Sequence, residues 1–201
     1  MRSFALLTLF AVAGCASESS QRNAQPNPSG VSARFTERTV YGGSEGFTET
    51  LRGAFDWKAK KGWAVRRSPG LEMRLIQLGD LCYRRFSGER WKRFKANDVD
   101  ELCNASVFGN PATEDDLIRS VASDWEDLGS ASIRGIPTTH YRGRLNIGAV
   151  KGPVDLWVDG DGVIRRDSQR GEKRGDFVSV RDYFDLGIDV RVQAPKLGAN
   201  G

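Results

Sequence analysis

The stretch Leu71–Phe94, Leu-Glu-Met-Arg-Leu-Ile-Gln-Leu-Gly-Asp-Leu-Cys-Tyr-Arg-Arg-Phe-Ser-Gly-Glu-Arg-Trp-Lys-Arg-Phe, decides how this chain is read. Leu71, Met73 and Leu75 alternate with Glu72 and Arg74, the period of a strand with one dry face. Leu81–Phe86 and Arg90–Phe94 then flank Ser87-Gly88-Glu89, a hairpin signal. The same period recurs outward in both directions. Leu51, Phe55 and Trp57 share one parity, and Gly62 turns the chain into Trp63 and Val65. Further on, Tyr141, Leu145 and Ile147 form one set, and Val154, Leu156 and Val158 form another. The latter leads into Asp159-Gly160-Asp161-Gly162, after which Val163 and Ile164 restart a strand. Phe177–Tyr183 and Ile188–Val192 complete the series. Such patterning predicts an antiparallel sheet covered on one side.

One segment has a different rhythm. Thr113 precedes Glu114-Asp115-Asp116, and Leu117, Ile118, Val121, Trp125 and Leu128 recur at helical spacing before Gly129. A Thr cap, an acidic first turn and a terminal Gly predict a helix over Thr113–Leu128. A weaker helical turn is expected around Val99, Leu102 and Cys103. The expected fold class is therefore α+β, a curved antiparallel half-barrel with one or two helices on its concave face.

The N-terminus reads as an address. Arg2 supplies a positive start, and Phe4–Ala13 is an apolar run too short to span a bilayer permanently. It ends in Val12-Ala13-Gly14-Cys15, which resembles the lipobox of bacterial lipoproteins. That resemblance implies a signal peptide over 1–14, cleavage before Cys15 and a diacylglyceryl group on its thiol. The alternative is an ordinary signal peptide that merely contains a Cys. Two acyl chains on one residue anchor durably where one does not. Residues 16–32 are rich in Ser, Asn, Gln and Pro and read as a flexible tether. A single domain over 33–196 and a short tail over 197–201 complete the expected organisation.

Composition narrows the function. The chain has 201 residues, 39% hydrophobic and 28% charged, an ordinary globular balance. Its net charge of +4 is too weak and dispersed to argue for nucleic acid. One His excludes a multi-His metal centre, and three Cys exclude a four-Cys zinc site. With Cys15 lipidated, Cys82 and Cys103 remain; in an oxidising compartment they suggest a disulfide, the alternative being two buried thiols. His140 sits in a strand phrase and reads as a strand-face residue; no G-x-S-x-G motif accompanies it. Asp159–Gly162 lacks the Glu that a calcium loop needs at its twelfth position, where Arg170 stands, and reads as a hairpin turn. Neither a catalytic residue nor a cofactor nor a metal is indicated. Two basic clusters, Arg84, Arg85, Arg90, Lys92, Arg93 and Lys95, and Arg165, Arg166, Arg170, Lys173 and Arg174, suit either anionic headgroups or a solvated sheet face.

Several phrases, in order, resemble the LppX/LprG-type lipoproteins of actinobacteria, within the wider LolA/LolB-like carrier fold. They are Tyr83 followed by Trp91-Lys92, Asn110-Pro111, and Gly135-Ile136-Pro137-Thr138-Thr139-His140-Tyr141-Arg142-Gly143. Val154–Asp159 with Gly162 and Ile164-Arg165-Arg166 follow, then Asp182–Ile188 and Ala194-Pro195. The likeness runs from Arg34 to Pro195. It implies a curved sheet holding acyl chains against its helices, and a carrier of lipid or glycolipid at the extracytoplasmic face of the cell membrane. One departure is visible: the family opens with a helix, whereas 16–32 has no amphipathic pattern. The cavity lining expected from the apolar parity is Leu51, Phe55, Trp57, Trp63, Val65, Leu71, Met73, Leu75, Trp125, Tyr141, Leu145, Leu156 and Val158. The same residues could equally form a dry core, in a tethered structural or sensing protein with an envelope protein as partner.

Overall fold

The computed structural model describes residues 32–43, 46–95, 111, 122–147, 150–171 and 176–197. They form one antiparallel sheet of eleven strands. These are β1 (Ser32–Tyr41), β2 (Thr48–Asp56), β3 (Lys61–Ser68), β4 (Leu71–Leu78), β5 (Leu81–Phe86), β6 (Lys92–Lys95), β7 (Ala122–Ile133), β8 (Ile136–Ile147), β9 (Val150–Asp159), β10 (Ile164–Gly171) and β11 (Phe177–Phe184). The spatial order is β6-β5-β4-β3-β2-β1-β11-β10-β9-β8-β7. Two meanders thus meet where β1 pairs with β11, with Phe35 opposite Tyr183. Every alternating segment read from the sequence up to Tyr183 is a strand; Ile188–Val192 is not. The first described residue is already fixed: the Ser32 hydroxyl donates to the Ile188 carbonyl at 2.6 Å, and the Gly187 N–H donates to the Ser32 carbonyl at 2.7 Å.

The helix expectation is corrected where it can be compared. From Ala122 onward the chain is strand β7, paired along β8, and no helix occurs among the described residues. The register slips between Ser123 and Glu126 and again between Asp127 and Gly129. A bulge adds one residue to a strand. It therefore stretches the inward spacing from two to three and imitates a helical stripe, which is how Ala122 and Trp125 both reach the core. Asp124 and Gly129 take the positive φ values of 56° and 91° that these irregularities need. Leu128, which a helix would bury, is exposed. Residues 113–121 of the expected helix, and the turn around Val99, Leu102 and Cys103, lie outside the described residues, as does Cys15.

One cluster of buried side chains unites the sheet, from Cys82 on β5 to Leu145 on β8, with Phe94 of β6 and Trp125 of β7 packed against it. Eleven strands laid flat would separate those edges by about 48 Å. The sheet curls instead, and Leu75, Leu156 and Tyr183 are almost wholly shielded. Glycines make room for the rings beneath this curve. A side chain at Gly53 would collide with the Phe35 ring, at Gly62 with Phe55, and at Gly143 with the Trp125 indole. The two edge strands, β6 and β7, are consecutive in sequence. Pro111 is buried, and its carbonyl accepts the Ile164 N–H at 3.3 Å. Cys82, fully buried on β5, is disulfide-bonded; Cys103 lies outside the described residues.

Candidate functional site: the inward face of the sheet

The register places most of the expected lining on one face. Leu51, Phe55, Met73, Leu75, Tyr141, Leu145, Leu156 and Val158 are buried in one cluster with Phe35 and Val154. Trp57, just past β2, packs edge-on against Phe55 with ring centres 5.5 Å apart. Trp125 lies over Gly143. Leu71 has the inward parity but stands at the strand's open end, 47% exposed.

Trp63 and Val65 do not join them. Phe55 pairs with Gly62 and Gly53 with Ala64, so Gly62 and Ala64 face inward and their neighbours face outward. Alternation along β3 is symmetric in its two parities. The small inward residues, sitting beneath the large rings of Phe35 and Phe55, reverse the assignment that bulk suggests.

The inward face also carries a charged band that the apolar reading missed. Glu37 of β1 and Arg181 of β11 are cross-strand partners. Arg181 Nε and Nη2 donate to the same carboxylate oxygen at 2.8 and 2.5 Å. The Ser179 and Thr39 hydroxyls reach the other oxygen at 3.0 and 3.2 Å. Arg181 Nη1 also donates to the Tyr183 hydroxyl at 3.3 Å. Burial alone would raise the Glu37 carboxyl; the Arg181 guanidinium and the two hydroxyls more than offset it and hold the carboxyl below its ordinary range. Toward the same end of the sheet, Arg66 pairs with Glu49 at 2.6 Å, and this bond raises the Arg66 pKa. The sequence did contain a signal, a Glu and an Arg at parities otherwise held by Phe35 and Tyr183.

Beyond this band the face ends in an aromatic and aliphatic rim. Tyr41 stacks on Phe47 at 4.5 Å, Phe177 lies 6.2 Å from Tyr41, and Phe47 and Leu71 are exposed. A recess of about 110 Å³ opens here between Glu49, Arg66, Leu71, Met73 and Phe86. The inward face thus grades from apolar at the Phe55 end, through buried charge, to an open rim.

The remaining singled-out residues face elsewhere or turn the chain. His140 stacks on Trp157 across β8 and β9 at 4.3 Å, and its Nε2 lies 2.8 Å from Asp155, which also accepts from Arg142. It is a strand-face residue, as its sequence context implies. Asp159 accepts the N–H groups of Asp161 and Val163 and the Nε of Arg165, and Gly162 has φ 79°. Its carboxylate is thereby committed to the β9–β10 turn. In the first basic cluster, Arg84 lies over Phe86 and Phe94 and Arg85 over Trp91.

An eleven-stranded antiparallel sheet curled round one apolar face has a counterpart among solved structures. The chain has the LppX-type lipoprotein fold. The crystal structure of LppX from Mycobacterium tuberculosis superposes with a TM-score of 0.54 over 81% of this chain and 89% of that one, at 17% identity. LprF from Mycobacterium bovis gives 0.49 over 86% and 91%, at 12% identity. A designated candidate lipoprotein of Streptomyces coelicolor is 26% identical over 59% of this chain and 44% of its own length. An uncharacterised 31.2 kDa protein of Streptomyces griseus is 27% identical over 59% and 50%. The chain spans about half the length of these curated relatives. No family model matches it. At this identity the LppX-type likeness is a likeness of fold.

Proposed function

We propose that this chain is a membrane-anchored, extracytoplasmic lipoprotein that binds or carries a lipid or glycolipid without chemistry, held on the inward face. The observation that carries the reading is the graded face: an apolar wall of Leu75, Leu156 and Phe55, then the buried Glu37–Arg181 pair, then an open rim. An acyl chain needs apolar walls, and a polar headgroup needs hydrogen-bonding partners at the mouth. Cys15, after Val12-Ala13-Gly14, supplies the diacylglyceryl anchor, and the expected tether from 16 ends before Ser32, which is already part of β1. The disulfide partner of Cys82 is Cys103, which fastens the chain between β6 and β7 to the sheet. The S. coelicolor relative's designation and the LppX-type fold support an envelope location.

A second reading rests on the rings laid over Gly53, Gly62 and Gly143, which fill space tightly. On that reading the interior is a packed core, and the domain serves as a tethered interaction or sensing module for an envelope protein.

Native mass spectrometry of the full chain purified gently from a lipid-containing host separates the two. A carrier shows an extra lipid mass that denaturation removes, whereas the covalent anchor stays. Leu75→Trp and Leu156→Trp reduce that mass at unchanged circular dichroism. A chain that stays free of lipid, even with lipid added, is the packed module.

A further inference from the structure

The outward face holds a feature that the inward function does not use. Across β1, β2 and β3, Arg38 pairs with Thr50, Thr50 with Arg67, and Thr36 with Arg52. Paired residues share a face, so three guanidinium groups and two hydroxyls stand together on the side opposite Phe35. They line a groove of about 370 Å³ floored by Val65 and Val180. Arg38 and Arg67 flank Thr50 two strands apart, about 10 Å at their Cα atoms, and Arg52 is diagonal to both.

Two of the three guanidinium groups in this groove have no ion-pair partner among the described residues. Arg38 and Arg52 are exposed and make no ion pair or hydrogen bond among the described residues. Arg67 engages Glu72 through Nε at 2.8 Å, which leaves its terminal amino groups uncommitted there. Two carboxylates border the groove, and both are already engaged: Asp182 accepts two hydrogen bonds from Arg166 at 2.5 and 2.9 Å, and Glu37 is held by Arg181. Like charges on neighbouring strands destabilise a sheet. A sheet that keeps three of them around a largely apolar recess that Thr36 and Thr50 also border, with no ion-pair partner for two, is arranged for an external anion with a carbon skeleton.

We propose that Arg38, Arg52 and Arg67, with Thr36 and Thr50, form a binding site for a phosphate monoester or diester. Planar guanidinium forks match phosphate oxygens two at a time. Five donor-bearing side chains exceed what the two oxygens of a carboxylate can use and suit a tetrahedral anion. The apolar floor of Val65 and Val180 accepts the carbon skeleton of an ester. The chemistry is shared by a phospholipid headgroup and by a free phosphate, and the two differ in what the floor contributes.

The test is isothermal titration of the full chain in non-ionic detergent micelles at fixed low salt. The probes are glycerophosphoglycerol, a headgroup diester without acyl chains, and inorganic phosphate. Neither carries an acyl chain, so the inward face takes no part. Arg38→Gln/Arg52→Gln is compared with Arg93→Gln/Lys95→Gln, which removes the same charge from exposed positions on β6. We expect binding that weakens at least tenfold in the first variant and less than twofold in the second. Tighter binding of the diester assigns the site to a lipid headgroup; phosphate binding as tightly or more so assigns it to the free anion or a monoester. Binding of neither probe at 10 mM, or equal weakening by both variants, overturns the site.

Discussion

The buried pair Glu37–Arg181 gives a sharp test of how the inward face is held together. The two side chains are 18% and 13% exposed. Replacing Arg181 by Met removes two charge-assisted hydrogen bonds from Glu37 and leaves only the Ser179 and Thr39 hydroxyls beside a shielded carboxylate. Stranding one member of a buried pair costs about 3–5 kcal/mol; the two surviving hydroxyls place Arg181→Met near the lower figure, about 3 kcal/mol. Replacing both, Glu37→Leu with Arg181→Met, removes the desolvation burden together with the attraction. That double variant should fall within about 1 kcal/mol of wild type. The pH dependence follows from the lowered Glu37 pKa. The unfolded chain binds its proton at higher pH than the folded chain does. The pair's contribution is therefore complete above the unfolded carboxyl's ordinary range and disappears as pH falls through the lower folded value. Urea unfolding of wild type, Arg181→Met, Glu37→Leu and the double variant, at pH 7 and at pH 3.5, measures both effects. A loss below 1 kcal/mol for Arg181→Met at pH 7 would refute the reasoning, as would a double variant as unstable as the sum of the single ones.

Other consequences are smaller in scope. Gly53→Ala drives a methyl into the Phe35 ring and the Trp63 carbonyl, and overpacking of this kind should lower stability by about 3 kcal/mol in urea unfolding. Leu156→Ala, at a wholly buried position, should also cost about 3 kcal/mol by the same measurement. Asp159→Ala frees two backbone N–H groups and Arg165 at the β9–β10 turn; a fall of about 2 kcal/mol is expected, with faster amide exchange at Asp161 and Val163. Amide hydrogens of Ala122–Ile133 that pair with β8 should exchange slowly, and a helical circular-dichroism signal arising from this segment would contradict the assignment of β7.

The strands were legible because period two is local. Each of β2, β4, β5, β8 and β9 announces itself within a few residues, as do the turns at Ser87–Glu89 and Asp159–Gly162. Period two does not say which parity is dry. On β3 side-chain bulk points to Trp63 and Val65 as the inside, yet Gly62 and Ala64 face inward because Phe55 and Phe35 need the space above them. β7 misled for a related reason: its bulges are specified by pairing with β8, a partner known only after folding.

The antiparallel strands, the hairpin connections and the apolar residues available for a core are encoded locally along the chain. Those features depend on side chains a few positions apart. Tertiary structure alone decided that β1 lies beside β11, and so brought Glu37 to Arg181, 144 residues away, inside the curl. It likewise gathered Arg38, Arg52 and Arg67 into one groove outside it. Charges on separate strands acquire partners, or lack them, only through the order and register of the strands, and those are set by how the whole sheet closes over its buried face.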